Sequence, residues 1–203
     1  MHDILNQNLQ YLGRRSPVLA DRLREIGPDP SLKLIAAESG DWTVRKSSRD
    51  GTHRFLHSRM DPRHEARMWA DSQGVIMPRL VIIGIGLAYH VFDLLKKRGY
   101  VENAYLIEAD ERVFQMAMKV HDISSLVQNS SIHFLIDSPL SAMESIFSTF
   151  LTQPFSCHIF SPLVSIYAHK YNPVRESVSK HLCALRMREG DGVKNLLKQM
   201  SAA

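Results

Sequence analysis

The sequence is poor in cysteine, with two residues, Cys157 and Cys183, in a chain of 203. They lie far apart and belong to no C-x-x-C pair, so we expect neither a zinc site nor a disulfide framework. We interpret both as buried thiols. His53 and His57 share one face of a predicted strand, but without a third ligand at metal spacing they indicate no metal site.

The chain also lacks a hydrophobic run long enough to cross a bilayer. Its longest apolar stretch, from Leu80 to Phe92, contains glycines and a histidine and falls short of the roughly 18 to 20 residues that a span needs. The start, MHDILNQNLQYLGRRSP, lacks the basic region followed by an apolar stretch that is typical of secretory signals. We therefore expect a cytoplasmic protein without membrane association.

The sequence also lacks a strong net charge of either sign. The formal net charge of +4 is a mild excess, so we expect no nucleic-acid partner, although a small anionic ligand is compatible with it. The sequence contains no G-x-S-x-G elbow, Walker loop or deaminase zinc motif, which leaves acyl transfer without support. With 44% hydrophobic and 23% charged residues, the composition is that of an ordinary globular chain.

The first 78 residues predict a small cap. Apolar residues at helical spacing indicate two short helices over 1–27. From 32 to 57 the hydrophobic period changes to two, between the turn sequences SGD and DG, which predicts a three-stranded antiparallel meander. A third helix, with Asp61 as its N-cap and a stop at Gly74, completes the cap.

Residues 79–203 predict an α/β domain. Apolar strands and helices alternate along it, at 80–83, 88–98, 104–108, 111–119, 132–136, 140–150, 156–160 and from about 174 onward. Continuously apolar strands are buried on both faces, and this alternation with right-handed crossovers produces a parallel sheet with helices on both sides. We therefore predict a Rossmann-like, methyltransferase-like fold that follows the N-terminal helical and meander cap.

The first strand of this domain ends in the turn Gly84-Ile85-Gly86. Glycines let the backbone approach a ligand, and free N–H groups at a helix start favour a phosphate or carboxylate. Glu108 ends the next strand, 24 residues after Gly84, where such folds place a carboxylate that binds a ribose. The pattern predicts a nucleotide pocket. The alternative is a tight turn without a ligand and a Glu108 that meets only solvent.

Leu87, Tyr89 and His90 extend the predicted ligand-binding set. Leu87 completes the turn. His90 lies one turn into the helix, near enough to donate to a phosphate or to transfer a proton, or else it packs against the sheet. Tyr89 stacks on a base, or it fills the seam between sheet and cap.

Ser58 and Arg59, at the end of the third meander strand, complete the set. If the cap folds over the sheet, they face the glycine turn, where the Arg59 guanidinium is a suitable fork for a phosphate. The alternative is that Ser58 and Asp61 serve only the start of the next helix, while Arg59 pairs with Asp61 or Glu65.

Two departures from known fingerprints limit the choice of cofactor. The dinucleotide fingerprint requires glycine or alanine where Tyr89 stands, which disfavours hydride transfer. A methyltransferase would place an acidic residue at the strand end, where the chain has Ile82 and Ile83, and a glycine in place of Ala88. S-adenosylmethionine therefore stays only as the alternative to a nucleotide.

Three stretches together resemble a known family. LHSRMDPRHEA, VIIGIGLAYH and YLIEADERVFQMAMK, in this order and spacing, are similar to the N-terminal region of motility-associated factor proteins. The resemblance covers roughly Leu32 to Leu163, with its strongest motifs between 56 and 114. The positions that match are Ser58, Arg59, Asp61, Pro62, Glu65, Ala66, Gly84, Gly86, Tyr89, His90 and Glu108.

The resemblance implies a part in the glycosylation of bacterial flagellin with nonulosonic acid sugars donated from CMP. Family members usually have glycine at the position of Ala88, and they continue into a sugar-transfer domain that we expect to lie outside this chain, which stops at Ala203. We expect a Rossmann-like module that binds a nucleotide, a nucleotide-sugar, or a partner such as a separate glycosyltransferase domain or flagellin. An S-adenosylmethionine-dependent methyltransferase and a non-catalytic interaction domain are the alternatives.

Overall fold

The computed structural model describes residues 2–48, 50–150 and 152–201. Its helices are α1 (His2–Arg15), α2 (Pro17–Glu25), α3 (Pro62–Ser72), α4 (Tyr89–Arg98), α5 (Glu111–Val120), α6 (Ser124–Gln128), α7 (Leu140–Phe150), α8 (Ser161–Ile166) and α9 (Ala168–Ser201). Its strands are β1 (Leu32–Ala36), β2 (Trp42–Ser47), β3 (His53–Phe55), β4 (Arg79–Ile83), β5 (Asn103–Glu108), β6 (Ile132–Ile136) and β7 (Ser156–Ile159). No helix in these ranges is long and apolar enough to span a membrane.

Four strands form a parallel sheet in the order β6-β5-β4-β7, and three form the antiparallel meander β1-β2-β3. At the centre of the parallel sheet, Ile82 of β4 lies between Leu106 of β5 and His158 of β7. The chain runs outward from β4 to β6 and then crosses to β7, so the switch point of the sheet lies between β4 and β7. The predicted α/β fold, with a parallel sheet flanked by helices and a small meander, is confirmed.

The apolar strands of the parallel sheet bury both of its faces. Leu80 and Ile82 point to the side covered by α1, α2, α4 and α5. Val81 and Ile83 point to the other side, where α7, α8, α9 and the meander pack. The meander thus shares a hydrophobic core with the parallel sheet. The division into a cap over 1–78 and a Rossmann-like unit over 79–203 stays a prediction, and residues 1, 49, 151, 202 and 203 lie outside the described part.

Local sequence signals account for the start of α3. The Asp61 side chain accepts a hydrogen bond from the His64 N–H at 2.8 Å, and Pro62 occupies the first turn. This is the predicted N-cap. Ser16 occupies the corresponding position before α2, but its side chain makes no capping bond.

Tertiary packing overrides local signals at the C-terminal helix. The sequence predicts a start near 174, whereas α9 begins at Ala168 and includes Pro173. Proline inside a helix costs about 3 kcal/mol. Tyr171 and Val174 are buried in the core on the same stretch, and this burial offsets the cost. Also unlike the prediction, Cys183 on this helix is an exposed free thiol, whereas Cys157 on β7 is partly buried.

The N-terminal helices cover an outer edge of the parallel sheet. Arg15 of α1 donates to the Ile132 carbonyl at 3.0 Å, and Arg22 of α2 donates to the Ile136 carbonyl at 2.8 Å. Both carbonyls belong to β6, an outermost strand of the sheet. Each guanidinium therefore occupies a backbone acceptor on the side of β6 that lacks a neighbouring strand.

Candidate functional site

The glycine turn lies at the carboxyl end of β4, next to the switch point, where open parallel sheets bind ligands. Gly84 and Gly86 have φ angles of +92° and +54°, in the left-handed region that favours glycine. Every residue from 84 to 90 is buried. The backbone of the turn therefore faces other protein groups, which decide what it can bind.

The Glu108 carboxylate fills the turn. Its Oε2 accepts hydrogen bonds from the N–H groups of Ile85 at 3.1 Å and Gly86 at 2.9 Å. Its Oε1 accepts from the Asp110 N–H at 3.1 Å and from the Tyr171 hydroxyl at 2.8 Å. The side chain is fully buried. The predicted meeting of Glu108 with the glycine turn is therefore observed, and the alternative in which it meets only solvent is wrong.

These contacts suit an anion. Burial raises the pKa of Glu108 from 4.5 to about 7, and hydrogen bonds from Gly86, Tyr171 and Asp110 limit the rise. The Tyr171 hydroxyl accepts from the Ala109 N–H at 3.1 Å, so its own proton is directed to Glu108. Since every partner of the carboxylate donates, a proton on it would leave one donor without an acceptor. Above about pH 7 Glu108 is thus an internal anion held by backbone amides, and below that pH the buried carboxyl takes up a proton.

His57 closes another side of the turn, and the sequence reasoning missed this role. Its Nε2 accepts from the Leu87 N–H at 2.8 Å, so in the neutral ring the proton is on Nδ1. A Cβ on Gly86 would lie 2.5 Å from His57 Nε2, so the imidazole occupies the space that glycine leaves free. His57 directly precedes Ser58 in the stretch LHSRMD, and that adjacency was the available signal.

Apolar and aromatic groups close the remaining sides. A Cβ on Gly84 would lie 3.1 Å from the Leu163 side chain of α8. The His90 ring is fully buried and stacks on Phe160 with ring centres 3.9 Å apart. Its Nε2 lies 2.8 Å from the Gly84 carbonyl, to which it donates. Burial, together with nearby His57, lowers the pKa of His90, so these contacts are those of a packed neutral histidine.

Tyr89 and Ala88 join the turn to the rest of the fold. The Tyr89 hydroxyl accepts from the Trp42 N–H at 3.0 Å and donates to the Trp42 carbonyl at 3.1 Å. These bonds tie α4 to β2, as expected if Tyr89 fills the seam between sheet and cap. Ala88, at the N-cap of α4, has a left-handed φ of +67°. Alanine is strained in this conformation, which gives a physical reason for the glycine expected there.

Ser58 and Arg59 lie away from the turn. The Ser58 hydroxyl oxygen accepts from the N–H groups of Met60 at 3.1 Å and Asp61 at 3.2 Å, at the start of α3. The exposed Arg59 guanidinium lies 5.1 Å from the centre of the Phe55 ring. The expectation that both face the glycine turn is therefore wrong. The chain bends directly after β3, and the bend carries His57 to the turn instead.

Open space at the carboxyl edge lies beside the filled turn. A cleft of about 360 Å³ between β5, β6, α7 and α9 is lined mainly by apolar side chains, together with Asp137, Ser138 and Lys170. Lys170 Nζ donates to the Ala109 carbonyl and to Asp137 Oδ1, both at 2.7 Å. The cleft is at the lower end of the size range of small-molecule pockets.

The structure thus brings most of the predicted set to one place. Glu108, Leu87, Tyr89 and His90 surround or border Gly84 and Gly86. Their contacts are with each other and with protein groups. Binding of a nucleotide or another cofactor by these residues stays a prediction.

Comparison with known proteins identifies the family. No curated protein matches the chain. Residues 39–188 match the N-terminal domain of glycosyltransferase Maf. The matched segment runs from the β1–β2 turn into α9 and includes His57, the glycine turn and Glu108. Because it spans well over half of the chain and agrees with the resemblance in the motifs, the chain belongs to the glycosyltransferase Maf family, as its N-terminal domain.

Proposed function

We propose that this domain is a non-catalytic docking module of a Maf glycosyltransferase. It binds a partner, either a separate transferase domain or flagellin, and its glycine turn serves the fold. The observation that carries the proposal is the Glu108 carboxylate bonded to the Ile85 and Gly86 amides in a buried turn. A phosphate bound in the usual way would need the same amides.

Displacing this carboxylate is energetically demanding. A ligand phosphate would have to break four hydrogen bonds to Glu108, and bonds to charged groups contribute about 1.5 to 3 kcal/mol each. It would also have to move His57 from Gly86 and the α8 side chains from Gly84. These obstacles favour docking over nucleotide binding as the function of the domain.

Ligand titration tests the first half of the proposal. Thermal unfolding is followed with CMP, a CMP-nonulosonic acid, S-adenosylhomocysteine and ATP, where a ligand at about 100 times its Kd would stabilise by about 2.7 kcal/mol. We expect no shift from any of the four. A shift with CMP or the CMP-sugar would support nucleotide binding, and a shift with S-adenosylhomocysteine alone would support the methyltransferase alternative. Either shift contradicts the proposal.

Calorimetric titration tests the second half. The chain is titrated separately with a purified Maf transferase domain and with flagellin. We expect saturable binding to one of them. Absence of heat and of co-migration in sedimentation with both partners would contradict docking.

Nucleotide binding is the second candidate, because the turn already holds an anion and the 360 Å³ cleft opens beside Ala109. In that function the base occupies the cleft and a phosphate replaces the Glu108 carboxylate. A Glu108→Ala variant tests whether the amides form an anion site when they are freed. Under this candidate the variant is stabilised by inorganic phosphate, and Glu144→Ala, which removes an exposed glutamate of α7, is not. No response from Glu108→Ala would remove the candidate.

A further inference from the structure

The outer face of the meander carries a row of cations. The antiparallel register places Lys33 of β1 opposite Arg45 of β2, and Arg45 opposite Phe55 of β3. Residues paired in this way project from the same face of a sheet. Leu34 and Val44, one position along, project from the other face into the core. Lys33, Arg45 and Phe55 therefore form one row across three strands.

Arg59 extends this row. Its guanidinium lies 5.1 Å from the centre of the Phe55 ring, within the range of a cation–π contact. Lys33 and Arg59 are exposed, while Arg45 and Phe55 are partly buried. We call Lys33, Arg45, Phe55 and Arg59 the cationic row. Its three strands cover about 10 Å, or two strand spacings.

The cationic row lacks ion-pair partners in the part of the chain that the structure describes. Among the side chains that the structure describes, Lys33, Arg45 and Arg59 form no ion pair. In the same part of the chain, the buried Arg45 Nε has no hydrogen-bond partner. Like charges directly opposite each other destabilise an antiparallel pair. The arrangement therefore reduces the stability of the isolated domain.

The inner face of the same strands differs. There Lys46 donates to the Tyr167 hydroxyl at 3.1 Å, and Arg54 donates to the Ser165 carbonyl at 3.5 Å. The fold thus supplies acceptors for the meander cations that face the parallel sheet. Exposure alone does not distinguish the two faces, because Arg54 is exposed too, but the outward cations have no such acceptor among the described residues.

We propose that the cationic row is the docking surface of the module and that it binds an acidic polypeptide segment of the partner. This inference rests on the proposed docking function and names its surface and chemistry. Arginine forks bind carboxylates in two-point contacts, and Phe55 supplies an apolar centre between the two guanidinium groups. In an extended segment, side chains on one face repeat about every 7 Å, so two carboxylates fit the 10 Å row.

The size of the cationic row favours a polypeptide over a nucleic acid. Proteins that bind duplex DNA firmly make about 6 to 10 phosphate contacts, whereas this row supplies three cations. The formal net charge of +4 adds little long-range attraction for a polyanion. Two or three carboxylates, spaced about 7 Å apart along one extended segment, match the three cations in number and the row in length.

A Lys33→Glu variant separates binding from folding. It replaces a like-charge pair with an opposite-charge pair, because the new carboxylate faces Arg45 in the same register. We expect an unchanged or higher melting temperature together with weaker partner binding. Lys96→Glu is the matched control, because Lys96 is an exposed cation on α4, away from the meander, and forms no ion pair among the described side chains.

The assay is fluorescence anisotropy with a labelled peptide of about 12 alternating glutamate and threonine residues, roughly 40 Å long when extended. We expect the wild-type chain and Lys96→Glu to bind it equally at low salt. Lys33→Glu and Arg59→Glu should each weaken binding about tenfold, equivalent to about 1.4 kcal/mol. A single-stranded oligonucleotide of similar charge is the competing probe.

Three results would overturn the inference. They are failure of the wild type to bind the acidic peptide, equal weakening by Lys96→Glu, and tighter binding of the oligonucleotide than of the peptide. The same variants are then titrated with the transferase domain and flagellin. If docking persists unchanged in Lys33→Glu and Arg59→Glu, the surface is wrongly assigned while the docking function survives. If the wild type docks to neither partner, the docking function itself fails.

Discussion

The contact between Gly86 and His57 makes a sharp test of the turn geometry. In a Gly86→Ala variant the new Cβ would lie 2.5 Å from His57 Nε2 and 3.1 Å from Cε1, so the imidazole or the backbone must move. Moving the ring also breaks its hydrogen bond with the Leu87 N–H. The added methyl group therefore displaces the imidazole from its contact with Gly86 and breaks its hydrogen bond with Leu87.

The size of the effect follows from three contributions. Alanine in a left-handed conformation costs about 1 to 2 kcal/mol, overpacking about 1 to 3 kcal/mol, and loss of the hydrogen bond about 0.5 to 1.5 kcal/mol. We expect the free energy of unfolding to fall by about 4 kcal/mol. Gly40→Ala is the control, because Gly40 also has a left-handed φ, +88°, but a Cβ there would meet nothing within 4 Å. It should lose only the backbone contribution, about 1 to 2 kcal/mol.

Urea unfolding followed by circular dichroism measures both losses. A second comparison uses His57→Ala alone and combined with Gly86→Ala. Because removing the imidazole removes the clash, the double variant should be more stable than the sum of the single losses predicts, by at least about 1.5 kcal/mol. Equal losses in Gly86→Ala and Gly40→Ala, or full additivity with His57→Ala, would refute the idea that His57 closes the turn.

Three further substitutions test other contacts. Burial raises the pKa of folded Glu108 from 4.5 to about 7, so the folded state binds the extra proton between these values. Wild-type stability should therefore fall relative to Glu108→Gln as pH rises from about 4.5 to 7, by up to about 1.36 kcal/mol per pH unit, and parallel urea-derived profiles would contradict the shift. Tyr89→Phe removes both bonds to Trp42 and should cost about 1 to 3 kcal/mol, which a loss below about 0.5 kcal/mol would contradict. Asp61→Ala removes the hydrogen bond that caps α3 at the His64 N–H, and it should lower the free energy of unfolding by about 1 kcal/mol in thermal or urea unfolding. Asp61→Asn should retain most of the wild-type stability, because asparagine also caps helices.

The fold could be predicted because its signals are local. The strands of the parallel sheet are mainly apolar, as in β4 from Leu80 to Ile83, and the residues that start and stop the helices lie next to them in the sequence. The meeting of Glu108 with the glycine turn could also be predicted, since adjacent parallel strands bring their carboxyl ends together. These features depend on periodicity and spacing over short distances.

The closure of the site could not be predicted because it depends on distant segments. Tyr171 reaches Glu108 across 63 residues, and His57 reaches Leu87 across 30. A glycine in a turn looks the same in the sequence whether a ligand or an imidazole fills the space beside it. The spacing of Gly84 and Glu108 therefore indicated that the two meet, but it could not show that the Glu108 carboxylate and the His57 imidazole contact the turn. The early start of α9 was missed for a related reason, since burial of Tyr171 outweighs the local effect of Pro173.

Arg15 and Arg22, which bind carbonyls of β6, give the first two helices a role beyond packing against the core. Residues 1–38 precede the segment that matches the family, yet Arg15 and Arg22 bind two outward carbonyls of this strand, those of Ile132 and Ile136. An uncovered strand edge is a template on which other chains can add, and charged side chains placed along it prevent that. A chain shortened to begin after α2 would leave this edge open to pairing with strands of other molecules, and it should aggregate at concentrations where the intact chain stays dispersed.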